Sequence, residues 1–350
     1  MRNMVSVETP SYGLKNFLSN RRQRVLVEGQ LSSWEEVTSG IPQGSVLGPT
    51  LFLLYINDLP NTVSNCEVKI FADDTKLYKE IRSQEDCSTL QENINKIHSW
   101  SQKWQLKFHP GKCHILRIGT SQPNFEYTMP DYKSGTVSLE ITTVEKDLGV
   151  NIDNKLTFSE HTAITVKKAN QMLAIIRRTF RYLDEDTFLL LYKTMVRPIA
   201  EYGVPAWTPI YMKEIDALES VQRRATKMLA HLKDRPYEER LQHLKLFSLA
   251  FRRQRGDMIF VYKYLTGILN SNHQLFVRSS SNTRGHDHRL EKARLNTILR
   301  QKSFTQRVIN NWNSLPQKVV EATSLNIFKS RLDKHWENYP GTYNYRDIHV

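Results

Sequence analysis

Two adjacent carboxylates, Asp73 and Asp74, lie inside the run Val68–Tyr78, with alternating apolar stretches on either side. That pattern reads as a β-hairpin with its acids at the turn. Carboxylates held side by side at a fixed turn repel each other, and a divalent cation relieves the repulsion. All-oxygen donors suit Mg²⁺ or Mn²⁺. An Asp-Asp pair is also ordinary turn chemistry, because Asp tolerates turn geometry and bonds its own backbone. The pair alone does not choose between the two.

The elements around it narrow the choice. Residues 1–11 carry no pattern. Leu14–Leu18 is helix-like and leads into a basic cluster, Arg21, Arg22 and Arg24. These arginines can hold phosphates or form a solvated face. Val25–Val27 and Trp34–Thr38 read as strands. Ser39–Pro49, with Gly44 and Gly48, reads as a structured loop that allows close backbone approach to a ligand. It matches neither the P-loop nor the dinucleotide pattern. Pro49 is placed to open a helix, Thr50–Asn57, apolar nearly all round and therefore expected to be buried. After the hairpin, Ser83, Glu85 and Asp86 open a helix with Leu90, Ile94, Ile97 and Trp104 at helical spacing. Leu106–Phe108, His114–Ile118, Thr136–Ile141 and Leu148–Ile152 are expected strands, with a turn at Pro110–Gly111 and a charged connection at Val144–Asp147.

Composition changes near Phe158, and helical patterns run from there to about Leu269. Ile164, Met172, Ile175 and Ile176 form one stripe, on a helix crowded with Lys167, Lys168, Arg177, Arg178 and Arg181. Phe188–Val196 is expected to be a buried helix ending before Pro198. Ile215–Leu232 carries Leu218, Val221, Ala225 and Leu229 as its core face. Arg252, Arg253 and Arg255 follow on a further helix. Each basic group alone reads as a solvated face, but their repetition across successive helices favours a basic groove for nucleic acid. Asn270–His288 is polar and reads as a linker or long loop. His286 and His288 could chelate a metal but have only Asp287 beside them. Two helical faces follow, Phe304, Val308, Trp312 and Leu315, then Phe328, Leu332 and Trp336.

The bulk numbers agree with a nucleic-acid partner. The chain of 350 residues has a net charge of +13 with only 24% charged residues, so the excess is an imbalance of sign and not a disordered charged chain. Three cysteines, Cys66, Cys87 and Cys113, form no close pair. That argues against a disulfide scaffold or a zinc knuckle and fits a reducing compartment. The longest apolar stretch, Val46–Ile56, is too short to span a bilayer and is broken by Gly48 and Pro49. The N-terminus has no apolar leader segment. The expectation is a soluble, non-secreted protein, with nucleus and cytoplasm both open.

Phe71–Asp74, preceded by Ser39–Pro49 and Leu51–Pro60, resembles the reverse transcriptase of non-LTR retrotransposons, close to the jockey-like group. The resemblance takes in Phe17–Arg24 upstream and Trp104–Cys113 and Lys146–Ile152 downstream. Tyr192–Pro198, Glu201–Gly203, Val221–Ala225, Arg252–Met258 and Trp312–Pro316 look like the region that follows the polymerase in such elements. It implies an α+β fold: a partial polymerase palm, a mixed sheet with helices, over 12–157, then a mostly helical thumb or connection region over 158–269. A linker at 270–288 and a C-terminal helical segment at 289–350 complete the expected order.

The same resemblance implies roles. Asp73 would ligate two Mg²⁺ (or Mn²⁺) ions and Asp74 would support that site. Gln43 and Gly44 would pack against template and incoming dNTP. Lys112 would donate a proton to pyrophosphate, and Leu148–Val150 would position the primer end. Arg21, Arg22, Arg24, Lys167, Lys168, Arg177 and Arg178 would hold the backbone of RNA template and DNA primer. One departure stands out. The family's first palm motif supplies a further metal-binding aspartate upstream, and no aspartate precedes Asp58 here; Glu8, Glu28, Glu35 and Glu36 are the only earlier acids. The expectation is a truncated polymerase with weakened metal binding, inactive by itself. The alternative is a non-catalytic nucleic-acid-binding remnant that uses the basic helices.

Overall fold

The computed structural model describes residues 8–119, 122–132, 135–271, 273–279, 285–339 and 341–348, with side chains from residue 13 onward. The expected N-terminal segment therefore lies partly outside the described residues. Helices and strands are both present, an α+β chain. Contacts divide it into two compact units, Met1–Ile115 with Ser121–Glu140, and Leu116–Thr120 with Ile141–Val350. The division falls at Ile141, upstream of the composition change at Phe158.

The first unit begins with α1 (Glu8–Leu18). Strands β1 (Arg22–Gln23) and β4 (Glu35–Glu36) pair antiparallel and enclose the hairpin β2 (Leu26–Val27) and β3 (Gln30–Leu31). Glu28 and Gly29 both take positive φ, 48° and 81°, the geometry a tight hairpin turn requires. Helix α2 (Gly48–Ile56) opens with Pro49 as expected. Its burial differs from expectation: only Gly48 and Ile56 are buried, while Leu53, Leu54 and Tyr55 are exposed.

Hairpin β5 (Glu67–Phe71) and β6 (Asp74–Tyr78) follows, then α3 (Gln84–Lys103). Helix α3 starts with a reciprocal cap: the Ser83 side chain accepts the Asp86 N–H and the Asp86 carboxylate accepts the Ser83 N–H. It organises the unit. Ile97 and Trp100 pack with Ile56, Leu59, Phe52, Ile70 and Leu77. Cys87 and Ile94 pack with Tyr127, Met129 and Leu139. Leu106–Phe108, expected as a strand, is irregular; Leu106 and Phe108 turn inward onto these clusters instead of pairing. Strand β7 (His114–Leu116) and the pair β8 (Thr128–Asp131) with β9 (Gly135–Ser138) come next, before β10 (Glu140–Thr142). Among the described residues strands pair only two at a time, so the mixed sheet expected of a palm is not formed.

The second unit opens with hairpin β11 (Val144–Asp147) and β12 (Val150–Asp153), so the charged connection is itself a strand. Helices follow: α4 (Ser159–Thr179), α5 (Glu185–Leu191), a π-helical turn at Tyr192–Val196, α6 (Arg197–Glu201), α7 (Met212–Thr226), α8 (Tyr237–His243) and α9 (Leu249–Leu265). The helical path does not end before Pro198. Its missing N–H falls in the first turn of α6, where that donor is dispensable. On α4 the core face is Ala169, Leu173 and Ile176; Ile175, expected in the stripe, is exposed. Leu218, Val221, Ala225 and Leu229 are buried as expected.

Described parts of the expected linker are packed. Phe276 and His286 are buried, His286 Nε2 bonds the Trp312 carbonyl at 2.9 Å, and Arg278 bridges to Leu290. This bond accounts for His286, which stands as a packed core histidine. Residues 280–284 lie outside the described residues. The unit closes with α10 (Ile298–Lys302), α11 (Phe304–Asn313), α12 (Gln317–Val320) and α13 (Leu325–His335), whose Val308, Trp312, Leu315, Phe328, Leu332 and Trp336 join one core with α7 and α9.

Candidate metal and nucleic-acid site

The register of β5 and β6 follows from their alternation. Phe71 pairs Asp74, Ile70 pairs Thr75 and Val68 pairs Leu77. Val68, Ile70 and Leu77 turn toward the core; Glu67, Lys69 and Phe71 turn outward. Ala72 and Asp73 form the turn. Ala72 takes φ +51°, a left-handed conformation that costs a non-glycine residue about 1 kcal/mol or more. Such strain gathers at ligand-binding turns. Asp73 stands at the tip and Asp74 at the first position of β6, both exposed. Side chains alternate along a strand, so Asp74 shares the outward face with Phe71, Lys69 and Lys76. The two lysines were not singled out by motif. The strict period of two in β5 and β6 was the signal that marks their face.

The other expected residues lie on their own elements. Pro42–Ser45 is a tight turn, closed by the Ser45 N–H on the Pro42 carbonyl at 3.4 Å, with Gly44 at φ +77° in the position that needs it. The Ser45 hydroxyl donates to Pro42 O and accepts the Gly48 N–H, tying the turn to the start of α2. Gln43 is exposed at that turn. Lys112 ends the 3-10 turn Pro110–Lys112, also exposed. An open groove of about 1280 Å³ in the same unit is lined by Arg21, Gly40, Phe52, Tyr55, Trp104 and Tyr132, not by the Asp pair.

The basic residues divide. The Arg21 guanidinium donates to the carbonyls of Leu18, Ser39 and Gly40, at 3.0, 3.2 and 2.6 Å, so it holds the loop to the end of α1. Arg22 is exposed, and Arg24 stacks on the exposed Trp34 ring at 4.4 Å. Lys167, Lys168, Arg177 and Arg178 are all exposed on α4. The arginines of α9 are spent internally. Arg252 is bidentate with Glu201 and Arg255 with Asp333, while Arg253 is buried. They do not extend the basic face of α4.

The Leu148–Val150 motif is the tip of β11–β12, with Leu148 and Gly149 at φ 44° and 86°. The Tyr202 hydroxyl donates to the Leu148 carbonyl at 2.8 Å, and a Cβ on Gly149 would lie 2.9 Å from the Tyr202 ring. Glu201–Gly203 thus reads as the seat of this hairpin. Glu201 anchors Arg252, Tyr202 clasps the tip, and Gly203 at φ +66° lets Val150 approach.

Residues 1–183 match the reverse transcriptase (RNA-dependent DNA polymerase) family. The chain belongs to that family. Its curated relatives include the probable RNA-directed DNA polymerase from transposon BS of Drosophila melanogaster, 30% identical over 65% of this chain and 26% of the relative. The RNA-directed DNA polymerase from mobile element jockey of Drosophila funebris is 29% identical over 66% of this chain and 26% of the relative. The probable RNA-directed DNA polymerase from transposon X-element of Drosophila melanogaster is 26% identical over 64% of this chain and 25% of the relative. The jockey-like resemblance read from the motifs is borne out. The chain spans about a quarter of the length of these relatives. No solved structure matches.

Proposed function

We propose that the chain carries part of the nucleotidyl-transfer centre of a non-LTR retrotransposon RNA-directed DNA polymerase, with Asp73 as the leading metal ligand and Asp74 as its support. The observation that carries this is the strained Ala72–Asp73 turn, which presents adjacent carboxylates at the exposed tip of β5–β6. Their hard oxygen donors fit Mg²⁺, which is commonly held by one or two carboxylates plus substrate phosphates. The fit is incomplete in number: among the described residues no third acid, His or Cys joins the pair in a cluster. When bound, the metal supplies charge stabilisation of the attacking and leaving oxygens. The chain's own residues hold and orient. Gln43 and Gly44 would border template and dNTP, and Lys112 would hold a proton for pyrophosphate. Leu148–Val150, clasped by Tyr202, would support the primer end.

On this reading the first unit is a partial palm and the basic helix α4 opens a thumb-like region. No aspartate precedes Asp58, so these 350 residues alone are expected not to extend a primer. The test is Mg²⁺-dependent dNTP incorporation on an RNA template with a DNA primer. The expected result is none; extension abolished by Asp73→Ala would overturn the inactivity and keep the site.

A second reading has its own support, the exposed Lys167, Lys168, Arg177 and Arg178 of α4. Here the chain binds an RNA–DNA duplex through phosphates without catalysis. Replacing all four by Gln should reduce the slope of log affinity against log salt by up to about 3.6. An unchanged slope would remove α4 from the interface.

A further inference from the structure

Three side chains from separate elements of the helical unit meet at one point. Glu185 stands in the first turn of α5, His231 in the 3-10 turn Ala230–Leu232, and His243 in the last turn of α8. The Nε2 atoms of both imidazoles lie on the same oxygen, Glu185 Oε1, at 2.6 and 2.8 Å. Their rings meet edge to face with centroids 6.0 Å apart. One potential ligand atom from each lies within 4.8 Å of the other two, the single such grouping of His, Cys, Asp and Glu among the described residues. The histidines follow Glu185 by 46 and 58 residues, which is why no motif announced them.

We propose that Glu185, His231 and His243 bind one transition-metal ion of the Zn²⁺ class, which clips the start of α5 to the 3-10 turn and to the end of α8. The donor set argues for this. Two imidazole nitrogens and a carboxylate oxygen suit Zn²⁺, Co²⁺ or Ni²⁺ and not the hard Mg²⁺ favoured by Asp73 and Asp74. The backbone argues for it as well. Leu232, next to His231, and Leu241 and Leu244, beside His243, are buried in the core, so both imidazoles are delivered from fixed positions. Asp184 caps α5 by accepting the Thr187 N–H at 2.7 Å and so fixes the turn that bears Glu185.

The geometry needs little adjustment. Tetrahedral zinc with bonds of roughly 2.0–2.1 Å places its ligand atoms about 3.3 Å apart. The two nitrogens, at 2.6 and 2.8 Å from the carboxylate oxygen, would open slightly from it. Glu185 is half-buried and both histidines are exposed, which leaves a fourth position open to water. Without a metal the same contacts are exposed imidazole–carboxylate pairs, which contribute little to stability. The cluster lies beyond residues 1–183, so the family match does not assign it.

The experiment uses the untagged full chain, stripped with EDTA and titrated with ZnCl₂ against a chromophoric zinc chelator. The expected result is one equivalent of zinc that millimolar Mg²⁺ does not displace and that the Asp73→Ala, Asp74→Ala double variant retains. Glu185→Gln and His243→Gln, checked for folding by circular dichroism, should each weaken binding at least roughly tenfold. Should either variant unfold, Co²⁺ added to the native chain decides: intense visible bands of a tetrahedral site support the proposal, and weak octahedral bands overturn it. No zinc bound by the native chain, or undiminished binding by a folded variant, would also overturn it.

Discussion

The hairpin unit and the helical unit dispose of their apolar side chains in opposite ways. In the helical unit a large cluster of buried side chains reaches from Ala169 through Val221, Phe251 and Trp312 to Ile348, beside a smaller one of Val150, Ala200, Trp207, Leu218 and Leu249. In the hairpin unit the core divides into two small clusters around α3. Val25, Leu26, Val27, Leu31, Trp34, Val46, Leu53 and Leu54 all remain exposed there. The cause is architectural. An amphipathic helix finds neighbours on several sides, whereas a lone two-stranded pair offers one face and is marginal in water. The family motifs around Asp73 therefore sit on the thinner scaffold, and most of the packing lies where the motifs are sparse. Exposed apolar patches of this kind mark surfaces that pack against something.

The contrast can be broken by truncating one leucine in each unit. Leu218→Ala, at 0% exposure, should cost about 2–5 kcal/mol in urea unfolding. Leu54→Ala, at 69% exposure, should stay within about 0.5 kcal/mol. Equal losses would mean that Leu54 is packed as fully as Leu218. The next largest effect concerns a buried ion pair. Arg307 is bidentate with Asp257 at 2.9 and 3.1 Å and also donates to the Val204 carbonyl. Arg307→Met leaves that carboxylate unpaired and should cost about 3 kcal/mol by the same assay. In the hairpin unit, Ser83→Ala removes the cap of α3 and should cost about 1 kcal/mol, read as a lower thermal midpoint.

The smallest effect depends on pH. His161 is buried, and its Nδ1 accepts the Asn151 N–H at 3.1 Å. Burial, with the Lys168 charge, pushes its imidazole below the ordinary 6.5. The unfolded chain takes up that proton first as pH falls. The His161 contribution is therefore complete above 6.5 and is lost on acidification through the folded value. Burial raises the carboxyls of Glu219 and Asp257, which act in the opposite sense. Comparing the acid-side loss of stability in native chain and His161→Gln isolates the histidine; identical pH profiles would show that it contributes nothing.

Periodicity was legible wherever a face met a core. The alternation in Val68–Tyr78 specified β5 and β6, and the helical spacing of Leu218 to Leu229 specified the buried face of α7. It failed where burial depends on what else is present. The uniform apolarity of α2 implied a buried helix, yet only Gly48 and Ile56 are buried. Ile175 was read into a stripe because Met172 and Ile176 flank it, although a turn of about 100° per residue carries it out of the core. The arginines of α9 looked like a basic face because their partners, Glu201 and Asp333, are distant in sequence. The motif residues Asp73, Gln43 and Lys112 were legible as types on loops and turns. Each lies exposed on its own turn, and spacing does not encode the long-range packing that would set their separation.

The π-helical turn at Tyr192–Val196 works as a phase corrector. Phe188, Tyr192, Val196 and Ala200 are buried at four-residue steps. In a regular α-helix each such step overshoots a turn by about 40°, so three steps would swing Ala200 roughly 120° from Phe188. The wider turn takes up part of that drift and keeps all four on the core side. A chain with one residue fewer between Tyr192 and Val196 would rotate α6 by about 100°. Glu201 and Tyr202 would turn away with it, and the Leu148–Gly149 hairpin tip would lose its clasp without any change in its own sequence.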